Sequence, residues 1–274
     1  MIINYDSPGQ LCNRIWSLLP SIAYGLEYDE KVLIINFDEY SSYFENLNRN
    51  SLVSFSSKKL LKQFIHSIKV RGYIQNGRPN LLSKLLKWNM IEGWPIRLDN
   101  HEMIINQSDA IRDIFTFNTK IITPVDELFS SIKKENIIVG VHIRRGDYRS
   151  WLDGIYYYTD EEYLAAMIYL YDQFKKEGKN VKFLLCSNEA IDLNNFNDLD
   201  CFTIPDFTGE KDLYALSKCD YIIGPPSSYS QWASFVGKKP VNYIMPERKE
   251  LLLSEFSDII SFNRFRNGNI LSID

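Results

Sequence analysis

The stretch Asn136-Ile137-Ile138-Val139-Gly140-Val141-His142-Ile143-Arg144-Arg145-Gly146-Asp147-Tyr148 decides the reading of this chain. Its first half is a short, β-branched apolar run, the composition of a strand buried on both faces of a parallel sheet. It then turns abruptly to His, two Arg, Gly and Asp. Ligands of open parallel sheets bind at the carboxyl ends of strands. Two adjacent guanidiniums there suit a phosphate, because their planar forks engage its oxygens bidentately. Gly146 permits a tight turn or a close backbone approach, and Asp147 can orient an arginine or act as a base. Taken alone, such residues also suit a solvated surface with an ion pair; the clusters described below weigh against that.

Outward from this stretch, strand and helix patterns alternate. Ile2–Tyr5 reads as a strand, Asp6-Ser7-Pro8-Gly9 as a turn, and Leu11 to Leu26 as a helix with one apolar face. Val32–Ile35 completes a βαβ unit. Between residues 38 and 80 the pattern weakens; Ser56–Ile68 is expected to be helical and Val70–Ile74 a short strand. Leu81, Leu82, Leu85, Leu86 and Trp88, interleaved with Lys84 and Lys87, form a stripe that suits a core or an anionic membrane surface. Ser108–Phe115 and Val125–Lys134 read as helices. After the Ile137–Ile143 strand come a helix over Glu161–Lys176 capped near Thr159, a strand Val181–Cys186 and a short strand Cys201–Ile204. A helix Asp212–Lys218, a strand Tyr221–Gly224, a helix Ser227–Val236 and a last strand Pro240–Ile244 follow. The alternation predicts an α/β protein with parallel sheets covered by helices. It has two halves, residues 1–132 and 133–274, with the tail after about residue 250 expected to pack back on the first.

The 274 residues carry a formal net charge of −4, which disfavours a nucleic-acid scaffold. Any anion site must be a local basic cluster. The four cysteines, Cys12, Cys186, Cys201 and Cys219, have no CxxC spacing and read as reduced core residues, which fits a cytoplasmic protein. The N-terminus lacks the pattern of a signal peptide, and no apolar stretch is long enough to span a bilayer; membrane contact is expected to be at most peripheral, on the inner face. With three His and no HExxH, a His-based metal site is not expected. Asp198-Leu199-Asp200 spells DxD but follows polar sequence and reads as a surface loop.

Two further clusters match the first in kind. Pro8-Gly9-Gln10-Leu11-Cys12-Asn13-Arg14 lies between a strand and a helix, so Gly9, Asn13 and Arg14 could reach a cleft. Gly224-Pro225-Pro226-Ser227-Ser228-Tyr229-Ser230-Gln231-Trp232 again joins a strand to a helix, and its serines stand at a helix N-terminus, where phosphate is favoured. GxGxxG and GxxxxGK[ST] loops are absent. Three strand-end clusters without a metal motif suggest a diphosphate held by Arg and backbone amides, as in a nucleotide-sugar.

GQLCNR near the start, HIRRGDY at mid-chain and DLYALSKCDYIIGPPSSYSQWASFVGKKP near the end together resemble the bacterial α-1,2-fucosyltransferases of glycosyltransferase family 11 and the wider fucosyltransferase superfamily. The family's first motif usually reads GLGNQ and its later one STFSWW, so both differ here in detail. The resemblance implies an α/β fold of the GT-B type, two Rossmann-like domains with parallel sheets facing a central cleft. It implies inverting, metal-independent transfer of fucose from GDP-fucose to a glycan, with no cofactor. Arg144 and Arg145 would hold the diphosphate and His142 would position them or the donor. Ser187, Asn188, Glu189, Ser227, Ser228, Ser230 and Gln231 would complete the donor site, and Gly9, Asn13 and Arg14 would face the cleft from the N-terminal, acceptor-side domain. Asp153 is favoured over Asp147 as the base. The acceptor would be a bacterial surface glycan, lipid-linked forms included. A GT-B enzyme with another nucleotide-sugar, and a silent glycan- or nucleotide-binding protein, are the competing readings.

Overall fold

The computed structural model describes residues 1–70, 85, 87–133, 135–206, 208–248 and 250–273. The chain forms two compact units. The first comprises Met1–Asn118 with Ile260–Phe262, the second Thr119–Ile259 with Asn263–Asp274.

The first unit is built on β1 (Ile2–Asn4), α1 (Leu11–Glu27), β2 (Val32–Ile34), α2 (Asp38–Ser41), β3 (Val53–Phe55), α3 (Lys59–Val70), β4 (Asn89–Ile91), α4 (His101–Asn106) and α5 (Ser108–Ile114). Its sheet has the order β3-β2-β1-β4, and every described pairing is parallel, with Ile3 opposite both Leu33 and Met90. The expected βαβ unit is present. β3 and β4 are additions to the sequence reading: each is three residues long and contains a polar residue, Ser54 within β3 and Asn89 at the start of β4. α3 begins at Lys59 rather than Ser56. Val70 ends α3 instead of opening a strand; residues 71–74, and most of the Leu/Lys stripe, lie outside the described residues. α1 buries Leu11, Ile15, Leu18, Leu19 and Ile22 on one face, as its spacing requires. The Asn4 amide, fully buried in β1, donates to the Ser17 carbonyl (3.2 Å) and the Ser21 hydroxyl (2.9 Å), tying sheet to helix. Many of the chain's aromatic residues go into packing: Phe37 meets Phe44, Phe55 and Phe115 with ring centroids 5.4–6.0 Å apart.

The second unit runs α6 (Thr119–Ile132), β5 (Ile137–Ile143), α7 (Asp160–Lys176), β6 (Val181–Ser187), β7 (Cys201–Phe202), α8 (Gly209–Lys218), β8 (Tyr221–Gly224), α9 (Ser228–Gly237), β9 (Pro240–Tyr243), β10 (Ser257–Ser261) and β11 (Arg264–Phe265). Strand order is β11-β10-β9-β8-β5-β6-β7. β7, β6, β5, β8 and β9 are parallel, while β10 pairs antiparallel with β9. β9 is therefore not the last strand, a point the sequence reading missed. α6 starts six residues before the expected Val125, with Pro124 inside it, and α8 starts at Gly209 rather than Asp212. Thr159 caps α7 in a full capping box with Glu162.

β5 is the spine of this unit and is buried on both faces. Val139, Val141 and Ile143 join Phe183 and Leu185 of β6 against Tyr163, Met167, Leu170 and Phe174 of α7. The alternate residues point the other way. A Cβ on Gly140 would lie 2.6 Å from Leu216 and 2.9 Å from Cys219 Sγ, so α8 packs flush on the opposite face. His142 shares that parity. Cys12, Cys186 and Cys219 are buried free thiols, whereas Cys201 is half-buried.

Candidate active site

In the second sheet β5 lies between β6 and β8, and the chain leaves it toward β6 and returns to it as β8. This is the switch point at which an open parallel sheet leaves a crevice. Two of the sequence clusters sit there: residues 142–147 end β5 and form the turn after it, and residues 224–230 do the same at β8.

The turn after β5 is held from several sides. The Arg144 amide donates to Tyr163 Oη (3.1 Å), and the Arg145 amide to Asn188 Oδ1 (2.8 Å). The Asn188 amide returns a bond to the Arg145 carbonyl (3.3 Å), and the Gly146 amide donates to Glu189 Oε1 (3.1 Å). Ser187 accepts from the Glu189 amide (3.1 Å). Ser187-Asn188-Glu189, at the end of β6, is thus a clamp on the Arg-Arg-Gly backbone. Gly146 has φ +62°, and a Cβ there would approach Asn188 Nδ2 to 2.9 Å, so the clamp requires glycine.

The two arginines differ. Arg144 ion-pairs with Asp147 (2.7 Å), a carboxylate whose side chain is 62% exposed, and its guanidinium lies 5.4 Å from the Tyr148 ring centroid. Arg145 turns inward to an ion pair with Asp160, the first residue of α7, with both side chains under 20% exposed. Asn195 donates to the other Asp160 oxygen at 2.6 Å. Arg144 therefore carries a positive charge that is only loosely countered, whereas the charge of Arg145 is neutralised inside the fold.

His142 is buried and its ring lies against Tyr229 (centroids 4.8 Å apart). Burial, with the Arg144 charge adding to it, lowers its pKa to about 3, so it is neutral at ordinary pH. Tyr229 in turn donates to the Gly209 carbonyl (2.5 Å) at the start of α8. A residue the sequence reading did not single out stands nearby. Asp212 is 4% exposed, and its backbone carbonyl accepts from Cys186 Sγ (3.9 Å), on the residue paired with His142 across β5 and β6. Burial, reinforced by Glu210, raises its pKa to about 7. Among the described residues His142 Nδ1, Arg145 Nε and Asp212 Oδ1 are buried without a hydrogen-bond partner. Such atoms are costly unless something bonds them. The only sequence signal for Asp212 was an acid inside the apolar pattern of DLYAL.

At the other strand end, Gly224 has φ +153° and a Cβ there would come within 2.5 Å of the His142 carbonyl. Ser227 caps α9 by accepting from the Tyr229 amide (3.2 Å). Ser228 is half-buried in the first turn. Ser230 and Gln231 are fully enclosed: Ser230 donates to the Ser227 carbonyl (3.1 Å), and Gln231 exchanges two bonds with Asn263, both 2.8 Å. Tyr148 Oη donates to the Pro226 carbonyl (2.6 Å), joining the two strand-end loops.

Asp153 is exposed in the loop that follows. Leu152 and Asp153 both have left-handed backbone, φ +48° and +55°, an arrangement that costs energy for non-glycine residues. The loop is pinned by Tyr148, Trp151 and Tyr156, whose rings pack in tilted pairs with centroids 4.7 and 5.6 Å apart. In the first unit Gly9 is exposed with φ +47°, Asn13 is half-buried, and Arg14 ion-pairs with Glu39 (2.9 Å). Asp198 is exposed and Asp200 pairs with Lys182 (2.5 Å). Among the described residues no group of three or more His, Cys, Asp or Glu is arranged to hold a metal ion, and no helix is long and apolar enough to cross a membrane.

Two α/β units on parallel sheets, one with an arginine-bearing turn at its switch point, are the elements of a glycosyltransferase of the GT-B type. Solved structures share the fold. Fucosyltransferase NodZ from Bradyrhizobium matches with a TM-score of 0.57 at 17% identity, over 89% of this chain and 94% of that one. FUT1 of Arabidopsis thaliana in complex with GDP matches with a TM-score of 0.60 at 11% identity, over 99% and 76%. POFUT1 in complex with GDP-fucose matches with a TM-score of 0.60 at 10% identity, over 88% and 97%. No curated protein matches by sequence. The sequence profile described as glycosyl transferase family 11 matches residues 42–258, and the chain belongs to that family.

Proposed function

We propose that this enzyme transfers L-fucose from GDP-fucose to a hydroxyl of a glycan, with inversion at the anomeric carbon and without a metal ion. An α-1,2 linkage on a bacterial surface glycan, lipid-linked forms included, is part of the proposal, as is a cytoplasmic site of action with at most peripheral membrane contact. The observation that carries it is the Arg144 guanidinium at the β5–β8 switch point, whose ion pair among the described residues is with an exposed carboxylate. NodZ and POFUT1, each solved with GDP-fucose, share the fold.

In the proposed reaction the bond from sugar C1 to the β-phosphate oxygen breaks, and GDP leaves with the electron pair. An acceptor oxygen forms the new bond to C1 from the opposite face, which inverts that centre. Its proton passes to a carboxylate. Charge builds on the departing diphosphate, and a fixed guanidinium stabilises it most where water is excluded. Arg144 takes that role. Arg145, neutralised by Asp160, holds the turn in shape, and the amides of the first turn of α9, with Ser227 and Ser228, complete the anion site. His142 Nδ1 and Asp212 Oδ1, both buried without a partner among the described residues, are assigned to the nucleoside in this proposal. Asp153 is the proposed base: it is exposed, and the strained backbone that presents it is pinned by aromatic packing. Asp147 acts on Arg144 instead. The test is transfer from GDP-fucose to a glycan panel, in EDTA, by wild type and Arg144→Ala. Product formed by wild type and lost in a folded mutant supports the reading; UDP-sugar use would replace the donor.

A further inference from the structure

Charge is spread unevenly along this chain. Residues 46–91 hold nine of its 31 Lys and Arg and no Asp or Glu, leaving 22 basic against 35 acidic residues elsewhere. α3 lies within that stretch. Its Leu61 and Ile65 pack inward with Ile3, Tyr5, Ile35 and Met90. Leu60 and Phe64, one turn apart, stand on a second face of the same helix that opens to solvent, 81% and 46% exposed. The Phe64 ring meets Trp88 edge-on with centroids 6.4 Å apart, and three residues before Trp88 comes Leu85, 73% exposed. Leu60 and Leu85 are the most exposed large apolar side chains among the described residues.

Basic side chains border this patch. Lys58 and Lys59 precede Leu60, and Lys87 lies between Leu85 and Trp88 in sequence. All three are exposed, and among the described residues no ion pair engages them. Neighbouring carboxylates are already engaged: Asp38 pairs with Lys62, and Glu30 with the Met1 ammonium (3.2 Å). Asp6 and Glu92 act on Tyr5, which belongs to the inward cluster. Exposed Leu and Phe set among lysines suit a bilayer surface, where apolar side chains enter the acyl boundary and ammonium groups meet lipid phosphates. A second copy of this chain would bring like charges together, and a nucleic acid would leave Leu60 and Leu85 without an apolar partner.

We propose that Lys58, Lys59, Leu60, Phe64, Leu85 and Lys87 form the surface by which this protein binds an anionic lipid bilayer. This gives the peripheral membrane contact of the proposed function a location and rests on that part of the reading, not on the donor. The test is co-sedimentation of the full chain with phosphatidylcholine vesicles and with vesicles that also contain phosphatidylglycerol, at low and high salt. Binding is expected to the anionic vesicles and to fall with salt. Each lysine near such a surface contributes about five-fold, so the double variant Lys58→Glu, Lys59→Glu is expected to bind at least about 25-fold more weakly. Leu60→Ser, Phe64→Ser is expected to lose about 10-fold or more. Lys175→Glu, Lys176→Glu, the same change of charge on exposed residues of α7 in the second unit, is expected to bind as wild type does. The substituted side chains are exposed, and a wild-type melting transition in each variant reports folding. Absence of binding to anionic vesicles, equal loss in the α7 variant, or retention of an RNA oligonucleotide in place of vesicles would overturn the assignment. A separate GDP titration reads the donor proposal: GDP binding without vesicle binding refutes the membrane surface alone, and vesicle binding without GDP binding refutes the donor reading alone.

Discussion

Replacing Arg144 and Arg145 separately by alanine should give two different failures. The Arg144–Asp147 pair is half in solvent, and exposed pairs contribute about 0–1 kcal/mol. Loss of the contact with Tyr148 adds about 0.5–1 kcal/mol. Arg144→Ala should therefore lose no more than about 2 kcal/mol of folding stability. Its effect falls on the reaction: removing a charge-assisted contact from the departing diphosphate costs about 3–5 kcal/mol. That is roughly a 10²- to 10³-fold loss of rate or more. Arg145→Ala instead leaves Asp160 largely buried and without its cation. Such breakage costs about 3–5 kcal/mol. The bond from Asn195 and the position of Asp160 at a helix N-terminus place the loss near the lower end, about 3 kcal/mol. Urea unfolding and transfer rates, measured on both variants, separate the roles. Equal destabilisation of the two variants, or substantial transfer by Arg144→Ala, would refute the reasoning.

Three more outcomes follow from the site. The pKa of His142 is lowered when folded, so its stabilising effect is intact above its ordinary value near 6.5 and is lost as pH falls toward about 3, reaching about 2 kcal/mol of loss by pH 5. Asp212 has the opposite sign: raised to about 7 when folded, it is harmless below about pH 4 and costs up to about 4 kcal/mol as pH rises through 7. Asp212→Asn should thus gain stability over wild type between pH 4 and 8, and a pH-independent difference in unfolding free energy would contradict this. Gly146→Ala strains a backbone at φ +62° and presses on Asn188. GDP affinity should fall while far-UV circular dichroism stays native, and unchanged affinity would remove the clamp from the account. Finally, the pH–rate profile of Asp153→Asn should lose its acidic limb and that of Asp147→Asn should keep it; the reverse would exchange their roles.

Residues 136–148 were legible because a strand buried on both faces has a distinctive composition and its sudden end in charge has few explanations. The Thr159 cap was legible from Thr-x-x-Glu. β3, β4 and β10 were not: they are three to five residues long and contain Ser54, Asn89 and Asp258, so neither a period of two nor an apolar run marks them. The unequal roles of Arg144 and Arg145 were also hidden. The residues are adjacent and identical, and only the turn geometry sends one toward Asp160, fifteen residues on, and leaves the other beside an exposed Asp147. Ser230 and Gln231 looked like ligands because they follow a strand end, but their side chains bond within the fold. Asp212 escaped notice because a helix's first turn is where a solvated acid is ordinarily expected.

The most direct test of the central claim is calorimetric titration of the protein with GDP in EDTA, repeated with UDP and with Arg144→Ala. The account predicts GDP binding that survives EDTA, that UDP does not reproduce and that the arginine variant loses. Preference for UDP, dependence on a divalent ion, or undiminished GDP binding by folded Arg144→Ala would contradict it.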